Sequence, residues 1–189
     1  MTAAVTAPAL LRQLARNNAW SNHRLHAACA RLPHSEYFAE RPCFFGTIHA
    51  TLNHILLVDG RYLDRLDGKP VPALHGSPEL HGDLAGLTNA QKASDRRLID
   101  LVDGLDDDAL GREVVWTSPS DTPTRDPVAG ILLHLFQHQI HHRGQVHDLL
   151  AQTSVPPPQL DEYFLTCDAQ QRAEEMPDLG ITEVALAID

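Results

Sequence analysis

The chain has 189 residues, of which 43% are hydrophobic and 21% are charged, and its formal net charge is −10 with histidine counted as neutral. This length and composition predict one globular domain over residues 1–189, large enough to bury a core without help from a cofactor. The negative charge would repel a phosphate backbone and no basic patch offsets it, so we expect no nucleic-acid partner.

The sequence also lacks the marks of a membrane or secreted protein. No apolar run approaches the roughly 20 residues that cross a bilayer. Arg12 and Arg16 interrupt the apolar N-terminal stretch, which therefore does not resemble a signal peptide. We expect a cytoplasmic protein with no membrane partner. Cys29, Cys43 and Cys167 contain no closely spaced pair, which argues against a disulfide framework or a thiolate zinc site.

The first predicted helix covers Pro8 to Leu32, where apolar residues follow helical spacing until Pro33 ends the run. Its apolar stripe includes two amides, Asn18 and Asn22. Buried amides need hydrogen-bond partners, so these two either face a polar centre or lie at an exposed edge of the stripe. The spacing alone leaves both alternatives open.

A second predicted helix runs from Gly46 to Leu66, and the Gly- and Pro-rich residues 68–86 read as a surface connection. The helix carries two histidines. At 100° per residue, His54 lies at the margin of the apolar stripe, whereas His49 lies farther round toward the polar side. His54 is therefore the better candidate for an inward-pointing imidazole.

A third helix is predicted from Thr88, with Gln91 as its capping partner, to a stop at Gly104. Within the following residues, 106–125, the apolar run Val114 to Trp116 is followed by turn-forming residues from Ser118 to Pro123. They predict a short extended segment that leads into a turn and folds over one end of a bundle.

Asp126 and Pro127 predict a strong helix start, with an N-cap acceptor followed by proline in the first turn. The fourth long helix would then run from Pro127 to Gln152 and end before the prolines at 156–158. A last helix is predicted over Gln159 to Met176. Together these segments predict an all-α bundle of four long helices with one long crossover and an additional C-terminal helix.

The fourth helix contains five of the twelve histidines in the chain, at His134, His138, His141, His142 and His147. Neutral imidazole is the commonest protein ligand for transition metals, and two histidines one turn apart can share an ion. Spacing alone allows three pairs: 134 with 138, 138 with 142, or 138 with 141. Because catalytic sites usually take three ligands from protein, a third must come from another helix, and His54 fits. The alternative is a set of hydrogen-bonded or solvated histidines.

Several neighbours of the histidines carry weaker predictions. Gly144 lies inside a helix, where glycine costs about 1 kcal/mol relative to alanine, so we expect another helix or a ligand to approach it closely. Gln145, one turn from His141, is a candidate hydrogen-bond donor to the metal ligands or else an ordinary polar residue. Asp59 is either a general base or, more simply, a structural carboxylate.

The segments HLFQHQIHHRGQVHDLL and LNHILLVDGRYLDRL, with PPPQLDEYFL near the end, resemble the DinB-like family of bacterial metal-binding bundles. The resemblance covers nearly the whole chain and implies a four-helix bundle. It also implies that a divalent metal is held by one histidine of the second helix and two of the fourth, which here are His54, His138 and His142. His134 and His141 fall outside this ligand set, with His134 left for a substrate contact or for support of a ligand.

The resemblance implies a function as well. Relatives include thiol-dependent S-transferases and a mycothiol-dependent maleylpyruvate isomerase, so it implies a metal-dependent enzyme that uses a low-molecular-weight thiol on a small electrophile. A bound dication would lower the pKa of the thiol. Zinc or nickel is the expected metal, with iron, cobalt and manganese as further candidates. A homodimer is also implied. The alternatives are a metal-dependent hydrolase and a non-enzymatic metal-binding stress-response protein.

Overall fold

A computed structural model describes residues 5–72, 76–117 and 122–182. Its elements in chain order are α1 (Ala7–Cys29), α2 (His34–Tyr37), α3 (Ile48–Leu66), α4 (Leu84–Asp103), α5 (Asp107–Gly111), β1 (Glu113–Thr117), β2 (Pro123–Pro127), α6 (Val128–Leu150) and α7 (Ala169–Leu179). The predicted all-α fold is confirmed. The two strands form only a small antiparallel hairpin, in which Val115 pairs with Arg125.

The four long helices α1, α3, α4 and α6 form the bundle. Helix α1 packs on α4 and α6, and α3 packs on the same two helices, so α1 and α3 lie at opposite corners. The first two long helices are therefore diagonal neighbours, and so are the last two. The connection from α4 to α6, which contains α5 and the hairpin, is the long crossover that the sequence predicts.

The apolar core is divided into two clusters. One cluster occupies the end of the bundle that includes Leu63, Leu98 and Leu132. The other occupies the opposite end, around Leu25 and Leu149. Each long helix also contributes buried polar residues near the boundary between the two clusters, so a polar layer crosses the middle of the bundle. Burying such a layer requires that its members hydrogen-bond to one another.

The predicted start of the third long helix is wrong. Helix α4 begins four residues before Thr88, at Leu84, because the side chain of Asp83 accepts a hydrogen bond of 2.7 Å from the backbone N–H of Gly86. Thr88 instead lies 2.9 Å from Nδ1 of His26, through its hydroxyl. Aspartate is a stronger N-cap than threonine, which explains the earlier start.

The predicted cap of the fourth long helix is also wrong. Asp126 belongs to β2, and its carboxylate accepts a hydrogen bond of 2.7 Å from Nε1 of Trp116 on β1. Helix α6 begins after Pro127 without a side-chain cap. The extended segment predicted within 106–125 is confirmed by β1, and the turn predicted after it includes residues 118–121, which lie outside the described residues.

The predicted last helix begins too early. Residues 159–165 are not helical, and a short 3₁₀ turn at Thr166–Asp168 leads into α7. Tyr163 in the irregular segment is buried against Trp20, with their ring centroids 5.6 Å apart. The predicted helix includes Tyr163, whereas the structure packs this side chain from a loop. Helix α7 then extends to Leu179, past the predicted end.

Two further predictions concern the cysteines and the absence of membrane-spanning segments. Cys29 is buried, Cys43 is partly buried and Cys167 is exposed, and all three are free thiols. Among the described residues, none of the helices combines the length and the apolar character that a bilayer crossing requires.

Candidate metal centre

Three histidines from two helices converge on one point. His54 comes from α3, and His138 and His142 lie one turn apart on α6, which packs against α3. One ring nitrogen from each lies within 4.8 Å of the other two. The Nε2 atoms of His54 and His138 are 3.1 Å apart. The packing of α3 against α6 therefore brings together the three residues that the resemblance implies.

The spacing fits a metal ion. In a tetrahedral site with metal–nitrogen bonds of about 2.0–2.1 Å, two ligand nitrogens lie about 3.3 Å apart. The 3.1 Å between Nε2 of His54 and Nε2 of His138 is close to that value. Three imidazoles leave room for a further ligand, as in catalytic sites of this type.

The histidines are in the protonation state that a metal needs. Burial, together with the smaller effect of the neighbouring His142, lowers the pKa of His54 to about 4. Burial likewise lowers the pKa of His138 to about 3, helped by the imidazoles around it. The pKa of His142 is lowered by burial, against the opposing effect of Gln145. All three rings are therefore neutral at pH 7 and have a lone pair to offer.

Hydrogen bonds orient two of the rings. Gln145 lies within 2.7 Å of Nδ1 of His142 through its carbonyl oxygen, which can only accept, so Nδ1–H donates and Nε2 is left for the cluster. The sequence prediction made Gln145 a donor, and at His142 it is an acceptor. Nδ1 of His54 lies 3.1 Å from the hydroxyl of Ser77. Nδ1 of His138 is buried and has no partner among the described residues, so its tautomer depends on what binds Nε2.

An aromatic residue that sequence reasoning missed covers part of the centre. Phe45 stacks on His54 with ring centroids 4.3 Å apart and meets His142 edge-on at 5.5 Å. Its neighbour Phe44 is 85% exposed. The signal that could have revealed them is an aromatic pair two and three residues before Thr47, the N-cap of the helix that carries His54. These rings give the centre an apolar border.

The other histidines lie outside the cluster. His134 is exposed and stacks on Tyr62, with ring centroids 5.0 Å apart. His141 is exposed beside Gln145, and Nε2–H of His147 donates to the carbonyl of Pro158 at 3.1 Å. His49 was predicted to lie toward the polar side, which is wrong. It is only 3% exposed because it packs against α2, with its Nδ1 3.0 Å from the hydroxyl of Tyr37.

Behind the histidines lies the polar layer that divides the core. Its members come from all four long helices, and all are buried: Asn18, Asn22, Asp59, Gln91, Asp95, Gln139 and Arg143. Arg143 donates to the side-chain oxygens of Asn18, Asn22 and Gln139. The two asparagines in turn donate to Asp95, at 3.1 and 2.8 Å. The two amides of the first helix therefore face a polar centre, and the exposed-edge alternative is wrong.

Charge in the layer is nearly balanced. Burial raises the pKa of Asp59 to about 8, which leaves its carboxyl protonated at neutral pH. Burial raises the pKa of Asp95 to about 6 and lowers that of Arg143 to about 10. At pH 7 the layer therefore contains one guanidinium and one carboxylate, linked through the amides of the asparagines. Asp59 contacts Gln91 and Gln139, which favours its structural role.

Comparison with known proteins identifies the family. The sequence model of the DinB family matches residues 1–175. The chain belongs to the DinB family. The crystal structure of a DinB-like protein, YjoA of Bacillus subtilis, is similar to this DinB chain with a TM-score of 0.55 and 17% sequence identity, over 76% of this chain and 96% of that one. That likeness supports the fold. No curated protein sequence matches.

Proposed function

We propose that this DinB protein binds one divalent transition metal through His54, His138 and His142 and acts on a low-molecular-weight thiol and a small electrophile. The observation that carries the proposal is the convergence of three neutral imidazoles, with the Nε2 atoms of His54 and His138 only 3.1 Å apart. We favour zinc or nickel for a ligand set made only of imidazoles, and we rank iron, cobalt and manganese below them.

The surroundings suit a thiol and an electrophile. A bound dication lowers the pKa of a thiol that meets it and so supplies a nucleophile at neutral pH. Phe45 and Phe44 offer apolar surface to the carbon skeleton of a small substrate. His134 is exposed one turn before His138, where it can contact a polar group of the substrate. The chain thus supplies an ion site, an apolar border and a polar contact.

The hydrolase alternative has less support. Metal-assisted hydrolysis commonly uses a general base near the metal-bound water. The carboxylate considered for that role, Asp59, is buried in the polar layer and bonded to two glutamines. A thiol whose pKa the metal has lowered needs no such base.

The first experiment measures bound metal in the purified full chain and in three variants, His54→Ala, His138→Ala and His142→Ala. We expect about one ion per chain in the wild type and loss in each variant, because two imidazoles hold a dication poorly. His147→Ala is the matched control, since His147 lies on the same helix but is bonded to Pro158, and it should keep its metal. Full metal content in any of the three variants would remove that residue from the ligand set.

The second experiment tests the thiol. The cobalt-loaded protein should change its visible absorption when a low-molecular-weight thiol is added, and adduct formation with a simple electrophile should require both metal and thiol. The His142→Ala variant should show neither effect. A normal metal content without any spectral change or turnover, across several thiols, would favour the non-enzymatic metal-binding protein.

A further inference from the structure

Arg65, in the last turn of α3, is a buried arginine without a hydrogen-bond acceptor. It is only 7% exposed and its Nε is fully buried, yet no oxygen of the described residues accepts a hydrogen bond from it. The other buried arginines of the described chain, Arg16, Arg143 and Arg172, all donate to oxygens. Burying a charged donor that has no acceptor is costly. An acceptor from outside the chain would remove that cost.

Aromatic rings hold the guanidinium of Arg65 in place. Its Cζ lies 4.1 Å from the ring centroid of Trp116 on β1 and 4.7 Å from that of Tyr62 on α3. Trp116 is itself fixed by its hydrogen bond of 2.7 Å to Asp126. The faces of these rings attract a cation, but they give its N–H groups no oxygen to bind. The side chain is therefore positioned while its hydrogen-bonding capacity stays unused.

Arg65 and Trp116 line an open cleft of about 390 Å³ between the end of α3 and β1. A cleft of this volume is within the usual range of small-molecule sites, which combine apolar walls with a few polar groups. Here the apolar part of the wall includes Val71, Pro72 and the 60% exposed Val115. The cleft thus joins one buried cation to a surface that a carbon skeleton can cover.

The charges around the cleft favour an anion. Among the described residues that line it, none is acidic, and Lys69 supplies a second cation. Lys69 lies 3.6 Å from Asp64 and 3.2 Å from Asp67, but Arg97 binds the same two carboxylates more closely, at 2.7 and 2.6 Å. Exposed ion pairs of this kind contribute little to stability. Lys69 can therefore turn toward an anion in the cleft at little cost.

We propose that this cleft binds a small organic carboxylate, with the carboxylate on Arg65 and the carbon skeleton against Trp116 and the apolar wall. A planar guanidinium can donate two parallel hydrogen bonds to a carboxylate. Inorganic phosphate would leave the apolar wall uncovered. Arg65 lies three turns after His54 on α3, about 16 Å along the helix, so the cleft is separate from the histidine cluster. The proposal does not rest on the metal or on the reaction.

The first test compares benzoate with benzamide, which has the same ring without the charge, by calorimetric titration of the full chain. Benzoate should bind with a Kd below about 1 mM, and benzamide should bind at least about 10-fold more weakly. Tryptophan fluorescence should change with the same midpoint, since the chain has two tryptophans and the other, Trp20, is fully buried. Equal affinity for benzamide would overturn the proposal, because the cleft would then recognise only the ring.

Two variants test Arg65 directly. Arg65→Met should weaken benzoate binding at least about 10-fold, because it removes the charged donors. Arg65→Lys keeps the charge but not the fork of N–H groups, so it should weaken binding at least about 3-fold, and it decides the question if Arg65→Met fails to fold. Arg96→Met is the matched control, since Arg96 is a 55% exposed arginine outside the cleft, and its affinity should be unchanged. Circular dichroism checks folding, and wild-type affinity in folded Arg65→Met would overturn the assignment.

Three further outcomes would also overturn the proposal. His54→Ala should bind benzoate as tightly as the wild type does, and a loss there would place the carboxylate at the histidine cluster instead. Inorganic phosphate should bind more weakly than benzoate, and tighter binding of phosphate would contradict the carboxylate. Finally, no saturable heat or fluorescence change with benzoate, phenylacetate or isobutyrate, each up to about 10 mM, would show that the cleft takes no such ligand.

Discussion

Replacing Asp59 with asparagine should make the protein progressively more stable relative to the wild type as pH rises. Asp59 is only 3% exposed, and its Oδ2 accepts hydrogen bonds from the side-chain amides of Gln91, at 2.9 Å, and of Gln139. Its Oδ1 and the Oε1 of Gln91 are both buried acceptors without a partner among the described residues. A buried carboxylate with one unbonded oxygen is costly to keep ionised, so burial favours the neutral carboxyl.

The magnitude follows from the difference between the folded and unfolded pKa values. Burial raises the pKa of Asp59 from its ordinary 3.8 to about 8, so the folded state binds the proton more tightly. The stability from this proton is fully present below pH 3.8 and is lost as pH rises, at about 1.4 kcal/mol per unit, until the carboxyl ionises near pH 8. Between pH 6 and pH 9 the wild type should lose about 3 kcal/mol through this group.

The assay is urea unfolding of the metal-free protein at pH 6, 7, 8 and 9, followed by circular dichroism. Working above pH 6 keeps the titration of Asp95, whose pKa is about 6, mostly outside the window. Asp59→Asn should match the wild type within about 1 kcal/mol at pH 6, since one neutral hydrogen-bonding group replaces another. It should then become the more stable protein at pH 9.

Asp100→Asn is the matched control. It alters a carboxylate that is 61% exposed, and its pH profile should follow that of the wild type. If Asp59→Asn keeps the wild-type slope between pH 6 and pH 9, the carboxyl does not gain a proton on folding. A loss of several kcal/mol at pH 6 would show that Asp59 is ionised and that its charge is needed.

Two more predictions concern the neighbours of the three clustered histidines. Arg143→Leu should lower the free energy of unfolding by about 3–5 kcal/mol, because it leaves the buried carboxylate of Asp95 without a counterion, and urea unfolding at pH 7 measures this. A loss below 1 kcal/mol would mean that the layer tolerates an unbalanced charge. Gln145→Ala should weaken metal binding about 10- to 100-fold by freeing the ring of His142, as measured by competition with a chromophoric chelator. An unchanged affinity would show that this hydrogen bond does not orient the ligand.

The four long helices could be predicted from the sequence because their apolar residues repeat at helical spacing, and two of their ends fall close to the predicted positions. Leu66 ends α3 as predicted, and Pro33 stops the first helix a few residues after Cys29. The helix starts were harder. Asp83 and Asp126 are equally good caps by residue type, but Asp126 is taken by Trp116 across a hairpin. A cap that a distant residue recruits cannot be recognised from local sequence.

The candidate site, too, could be predicted from the sequence only in part. Spacing and residue type single out a histidine cluster on one helix and His54 on another, whereas the choice of His138 with His142 needed the family resemblance. Only Asn18 and Asn22 indicated a buried polar centre from the sequence, and they did so as one of two alternatives. The other members of the polar layer are Asp59 on α3 and two pairs spaced four residues apart, Gln91 with Asp95 on α4 and Gln139 with Arg143 on α6, where Gln139 lies between histidines. A network assembled from four helices leaves no local pattern that periodicity can detect.

The contacts of helix α6 explain why its sequence cannot be divided into one polar side and one apolar side. Three adjacent rows run along it, each with a four-residue step: His138 and His142 face His54, Gln139 and Arg143 face the polar layer, and Ile140 and Gly144 face outward. Successive rows differ by one residue, or about 100° of rotation. A small rotation of α6 would therefore move the imidazoles away from His54. Apolar contacts tolerate such a rotation, but the directional bonds of Arg143 to two asparagines do not. The polar layer thus fixes the angle at which α6 presents its histidines, which gives the buried charge a role beyond stability.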